Sequence, residues 1–93
     1  MIVGCCEIEL YIYESYSLKK KRMVIKSIIE KMKHRYNISI SEVGDNEIWN
    51  KSTIAFCTVS NGMENVNKTI QECLDFLDLD DRIEIINSVI NYY

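Results

Sequence analysis

The stretch Ile2-Val3-Gly4-Cys5-Cys6-Glu7-Ile8-Glu9-Leu10-Tyr11-Ile12-Tyr13 alternates, and the one after it, Ser17-Leu18-Lys19-Lys20-Lys21-Arg22-Met23-Val24-Ile25, does not. In the first, Ile2, Gly4, Cys6, Ile8, Leu10 and Ile12 share one side, while Val3, Cys5, Glu7, Glu9, Tyr11 and Tyr13 share the other. Period two with β-branched and aromatic residues predicts a strand over 2–13. Its second side mixes acids with apolar groups, so only the first is expected against a core. From residue 18 the period lengthens. Leu18, Ile25, Ile28, Ile29 and Met32 fall together on a helical wheel, with Val24 at their border and Lys19, Arg22, Lys26, Glu30 and Lys33 opposite. That predicts an amphipathic helix over 18–35, with Ser17 as its N-cap.

Working outward, Asn37 to Val43 alternates again until Gly44-Asp45-Asn46 breaks it, and Ser52 to Ser60 reads as a further strand. The connection between these two is longer than a tight hairpin turn. Asn61-Gly62-Met63-Glu64 offers a capped helix start, with Asn61 as cap and Glu64 three residues on. Met63, Val66, Ile70, Cys73, Leu74 and Leu77 follow at helical spacing, and Asp78-Leu79-Asp80-Asp81 ends the run. A last strand runs from Arg82 to about Ile90. The order β-α-β-β-α-β, with right-handed crossovers, predicts an α+β ferredoxin-like fold. Its four-stranded antiparallel sheet should carry both helices on one face.

The 93 residues suit one domain, 1–93, and nothing among them reads as a linker: the chain has no proline and three glycines. No apolar run approaches the ~20 residues that span a bilayer, and the N-terminus has no basic export signal. A cytoplasmic protein without a membrane partner is the expectation. Cys5, Cys6, Cys57 and Cys73 lack the spacing of a zinc or redox motif, so they read as small buried thiols in a reducing compartment. No metal and no cofactor is expected.

Charge is unevenly placed. Net charge is −3, yet eight of the eleven Lys and Arg residues lie between Lys19 and Arg35, with Glu30 the one acid among them. Lys19, Lys20, Lys21 and Arg22 crowd the first turns of the helix, where the macrodipole favours anions and each exposed cation costs roughly 0.3–1 kcal/mol. A locally unfavourable choice of this kind marks a candidate contact surface. Lys19, Lys20, Lys21, Arg22, Lys26 and Lys33 are therefore the candidate anion or nucleic-acid contacts. A solvated basic face accounts for the same residues without a ligand, and an acidic protein would suit them as a partner.

The remaining candidates are aromatic or nucleophilic. Trp49 could stack on a base, although most such residues close a core at the end of a hairpin. Val3, Cys5, Tyr11 and Tyr13 on the uncovered sheet face are candidates for a homodimer interface. Tyr11 and Tyr13 alone do not make an RNA-recognition motif, because Ser52 to Ser60 lacks the matching aromatic and basic pattern. His34 sits solvent-side near the helix end, as a favourable charge there. Ser17 has no base beside it, and the loop Glu14-Ser15-Tyr16-Ser17 lacks the glycines and arginine that acylphosphatases place after their first strand. No catalytic residue emerges.

The ordered blocks Ser17-Leu18-Lys19-Lys20-Lys21-Arg22, Lys26-Ser27, Arg35-Tyr36-Asn37-Ile38-Ser39-Ile40-Ser41-Glu42-Val43, Trp49 and Val59-Ser60-Asn61 resemble the YlxP-like family of bacterial proteins. The resemblance runs through most of the chain and is weaker over its last dozen residues. It implies a ferredoxin-like fold and a gene neighbourhood of translation and transcription-antitermination factors, hence RNA or the ribosome as partner. Gly44 stands where the family pattern usually has an acid. No catalytic residue is known for the family, so none is carried over.

Overall fold

The computed structural model describes residues 1–93. Its elements are β1 (Ile2–Ile12), α1 (Leu18–Arg35), β2 (Ser39–Gly44), β3 (Lys51–Ser60), α2 (Met63–Asp78) and β4 (Ile83–Tyr92). The strands form one antiparallel sheet in the order β2-β3-β1-β4. This is the ferredoxin-like arrangement the alternation and the two wheels predict.

Period two in β1 does what it requires of a half-covered sheet. Cys6, Ile8, Leu10 and Ile12 are buried, while Glu7 and Glu9 between them are exposed. Against them lie Val24, Ile25, Ile28 and Met32 of α1 and Val66, Ile70, Cys73 and Leu77 of α2, all in one cluster with Ile40, Ile54, Phe56 and Ile83. Removing this apolar surface from water is the main stabilising term. Gly4 allows α2 its close approach to β1: a Cβ there would collide with Val66 and come within 2.8 Å of Ile70.

Two details depart from expectation. The N-cap of α2 is Gly62 rather than Asn61, and no side chain caps it. The four cysteines do not share one fate either. Cys6 and Cys73 are buried free thiols, pushed by burial up to about 11 and about 12. Cys5 and Cys57 are instead joined as a disulfide across β1 and β3. Register explains the pair. Ile12 N donates to Asn50 O on the β3 side, while Val3 and Tyr93 exchange both bonds on the β4 side. Odd positions of β1 therefore face β3 without hydrogen bonds, which brings opposed side chains closest.

The turn into β4 is held by an ion pair. Asp80 accepts from Arg82 N and Nε through one oxygen and from Nη2, at 2.7 Å, through the other. Those hydrogen bonds from Arg82 hold the Asp80 carboxyl below the ordinary carboxylate range. A depressed folded value means the stabilisation is complete above the unfolded pKa of about 3.9 and is lost as pH falls through the folded one. With the guanidinium a third exposed, Asp80→Asn should cost only about 1 kcal/mol at pH 7. Urea midpoints at pH 7, 5 and 3 check this: the gap between variant and parent should be equal at pH 7 and 5 and narrower at pH 3.

Candidate nucleic-acid interface

Ser17 caps α1 as expected, its Oγ accepting from Lys20 N at 3.1 Å. The first turn that follows holds no acid. Lys19, Lys20, Arg22, Lys26 and Lys33 are all exposed along this helix, with Lys31 and Arg35 beyond. None of the five forms a salt bridge. Arg22, Lys26 and Lys33, with Ile25 and Ile29 beneath them and Glu42 of β2 opposite, line a shallow groove of about 460 Å³.

Lys21 does not belong to this surface, which corrects its place among the anion contacts. Its side chain is 0% exposed. Its Nζ donates to Asp45 O at 2.6 Å, Asn46 O at 3.2 Å and Lys51 O at 3.0 Å, and stands 3.0 Å from Glu42 Oε2. The same carboxylate oxygen accepts from the buried Ser52 hydroxyl at 2.6 Å. All the acceptors lie on the connection between β2 and β3 or on the strand ends beside it. The ammonium thus neutralises Glu42, supplies a donor to the Asn46 and Lys51 carbonyls, and gives a second one to Asp45 O, which also accepts from Ile48 N at 3.1 Å.

That connection carries Trp49, and Lys21 fixes where it stands. A second clamp comes from the other side: Ser15, 2% exposed, donates from Oγ to Trp49 O at 2.6 Å. With the connection held by Lys21 and by Ser15, the Trp49 side chain is 44% exposed. The expectation that it closes the core is not met, because the space under the connection is occupied by the Lys21 side chain. Trp49 instead meets Tyr16, 81% exposed, with ring centroids 6.1 Å apart and planes tilted by 34°. Tyr16 immediately precedes the cap of α1, so the ring pair and the cationic helix adjoin. Trp49 stands out in the sequence as the chain's one tryptophan; Tyr16 does not, and its place one residue before an N-cap is the only signal it leaves there.

The four open-face candidates are found on β1 and just past its end. Val3 lies opposite Val59, Cys5 is tied to Cys57, and Tyr11 meets Tyr13 edge-on at 5.3 Å. Exposed Glu7 and Glu9 separate the aliphatic end of this face from the aromatic end. No three His, Cys, Asp or Glu side chains come together as a metal site would require. No helix is long and apolar enough to cross a membrane.

The fold defines a ferredoxin-like α+β protein, and solved structures with this architecture match the whole chain. They include the de novo designed protein Foldit4 (TM-score 0.54, 14% identity, 97% of that chain covered). A second designed protein with a ferredoxin fold, LFR1 1, gives a TM-score of 0.53 at 14% identity over 84% of its length. A dimeric ferredoxin-like protein from an uncultured marine organism gives 0.51 at 10% identity over 96%. At such identities these show the fold alone. Within that class, the chain belongs to the DUF503 family of proteins of unknown function, whose model matches residues 3–90. It is 35% identical over 83 residues to the uncharacterized protein YlxP of Bacillus subtilis (strain 168), covering 89% of this chain and 90% of that one.

Proposed function

We propose that the protein is a non-catalytic RNA-contacting module, of the kind that works on ribosomal or other structured RNA. The outer face of α1 takes the phosphate backbone, and the Tyr16–Trp49 pair takes an unpaired base. The observation that carries this reading is the clamped exposed aromatic pair adjoining unpaired cations. Lysines and arginines alone would suit any polyanion. Two exposed rings, one on a connection whose main chain is held by Lys21 and by Ser15, add a stacking surface, and base–aromatic stacking is worth roughly 1–3 kcal/mol per base. An acidic protein could occupy α1, but it would leave the rings without a ligand.

Trp49 is the only tryptophan in the chain, so its emission reports on this site alone. Titration with an unstructured single-stranded RNA at about 50 mM salt should quench it to saturation, and about 200 mM salt should weaken binding steeply. Duplex RNA should bind α1 with less quenching, since its bases are already stacked. Unchanged emission with single-stranded RNA at low salt would sink the stacking half of the reading. Failure of the protein to bind either RNA would sink the whole.

A further inference from the structure

The outer edge of β4 is the longest run of unpaired strand backbone in the sheet, and beyond a single bulge at Ile86 it lacks the devices that protect such edges. Natural edges are short, bulged, or carry lysine or proline. The other edge, β2, follows this rule: it is six residues long, has a register shift between Glu42 and Gly44, and bears a charge. β4 runs for ten residues with Glu84 as its one charge, and has neither lysine nor proline. Ile86, Val89, Ile90 and Tyr92 on it are each 38–49% exposed.

The hydrogen-bond pattern says which backbone groups are free. Val3 and Tyr93 exchange both bonds, so by alternation Asn91, Val89 and Asn87 also face β1. Ser88, Ile90 and Tyr92 then turn their N–H and C=O groups outward. This segment lies beyond the irregularity at Glu9/Leu10 and is straight in register from Asn87 to Tyr92.

We infer that a second copy of this chain adds here, antiparallel, about a two-fold axis through Ile90. In that register Ile90 faces its own copy and Ser88 faces Tyr92 in both directions, each pair exchanging two main-chain hydrogen bonds. No charged residue lies in the paired segment, and Glu84 of each copy stays outside it. The contact is self-complementary and closes on itself, giving one continuous eight-stranded sheet in place of two of the four-stranded sheets. The protected β2 edge stops growth beyond two copies. Packing of the open faces is disfavoured by comparison, because it would desolvate Glu7 and Glu9, neither of which has an ion-pair partner.

The test is molar mass in solution by light scattering, up to about 1 mM, the weak end of specific affinity. The parent protein should reach twice the chain mass. Ile90→Lys sets like charges against each other on the axis. Ile90→Pro removes an outward N–H while leaving the β1 ladder whole, which an edge strand tolerates. Both variants, checked for folding by circular dichroism, should be monomers, whereas Val59→Lys on the open face should stay dimeric. A monomeric parent, or a dimer that survives in either folded Ile90 variant, overturns the inference.

Discussion

Replacing Lys21 by methionine is expected to cost about 3–5 kcal/mol of stability, although the change looks like removal of one lysine from a run of four cations. The methylenes of the side chain are matched in length, so the loss is electrostatic. Glu42 is left as an uncompensated carboxylate, the Asn46 and Lys51 carbonyls lose the lysine donor, and Asp45 O keeps only its bond from Ile48 N. A domain of this size holds roughly 5–14 kcal/mol in all, so the variant should lose a large share of its margin. Each kcal/mol moves Tm by about 4–8 °C at this length, and thermal unfolding followed by circular dichroism reads the difference. Lys20→Met, one residue away and exposed, should stay within about 0.5 kcal/mol of the parent. Combining Lys21→Met with Glu42→Leu should recover part of the loss, because the orphaned charge is gone but the Asn46 and Lys51 carbonyls still lack the lysine donor. Equal stability of Lys21→Met and Lys20→Met would refute the buried role.

The wheel already contained the signal for Lys21. It lies four residues before Ile25, seven before Ile28 and eleven before Met32, which is the apolar stripe of α1. Residue type pointed outward and position pointed inward, and position prevailed because the fold supplied acceptors. Those acceptors were not legible. They are main-chain carbonyls 24–30 residues away along the chain, and carbonyls leave no mark in a list of side chains. Trp49 stands on the same connection: its inner side is occupied by the Lys21 ammonium, and the indole is 44% exposed.

Elsewhere the legibility of the fold tracks the strength of the period. β1 and α1 keep clean periods of two and of three to four over more than ten residues each, and their ends are met within about a residue. The α2 cap moved from Asn61 to Gly62, a shift within the fraying that helix ends ordinarily show. The Cys5–Cys57 pairing needed the register of β1 on β3, a long-range pairing of residues 52 apart in the chain that local sequence does not carry. The free edge of β4 was likewise invisible until the strand order placed β4 outermost.

Reversing Arg22, Lys26 and Lys33 together to glutamate should reduce affinity for RNA by at least about a hundredfold at 0.1 M salt. The magnitude follows from counterion release. Each phosphate contact contributes a slope of about −0.7 in log K against log salt on single strands, so at 0.1 M it is worth about fivefold relative to 1 M. Three contacts multiply to roughly a hundredfold, and reversal adds repulsion to simple loss. The slope itself should fall by about 2, which separates lost phosphate contacts from a folding defect that would lower the active fraction without changing it. All three side chains are exposed, so unfolding midpoints should hardly move. The Tyr16–Trp49 pair answers to a different measurement. Trp49→Ala should weaken single-stranded RNA by about 1–3 kcal/mol while leaving the salt slope as it was, because stacking releases no counterions. A triple variant that binds RNA with the parent's affinity and slope would mean that the cations of α1 are only a solvated face. The costly placement of Lys19 and Lys20 at a helix start would then need another cause.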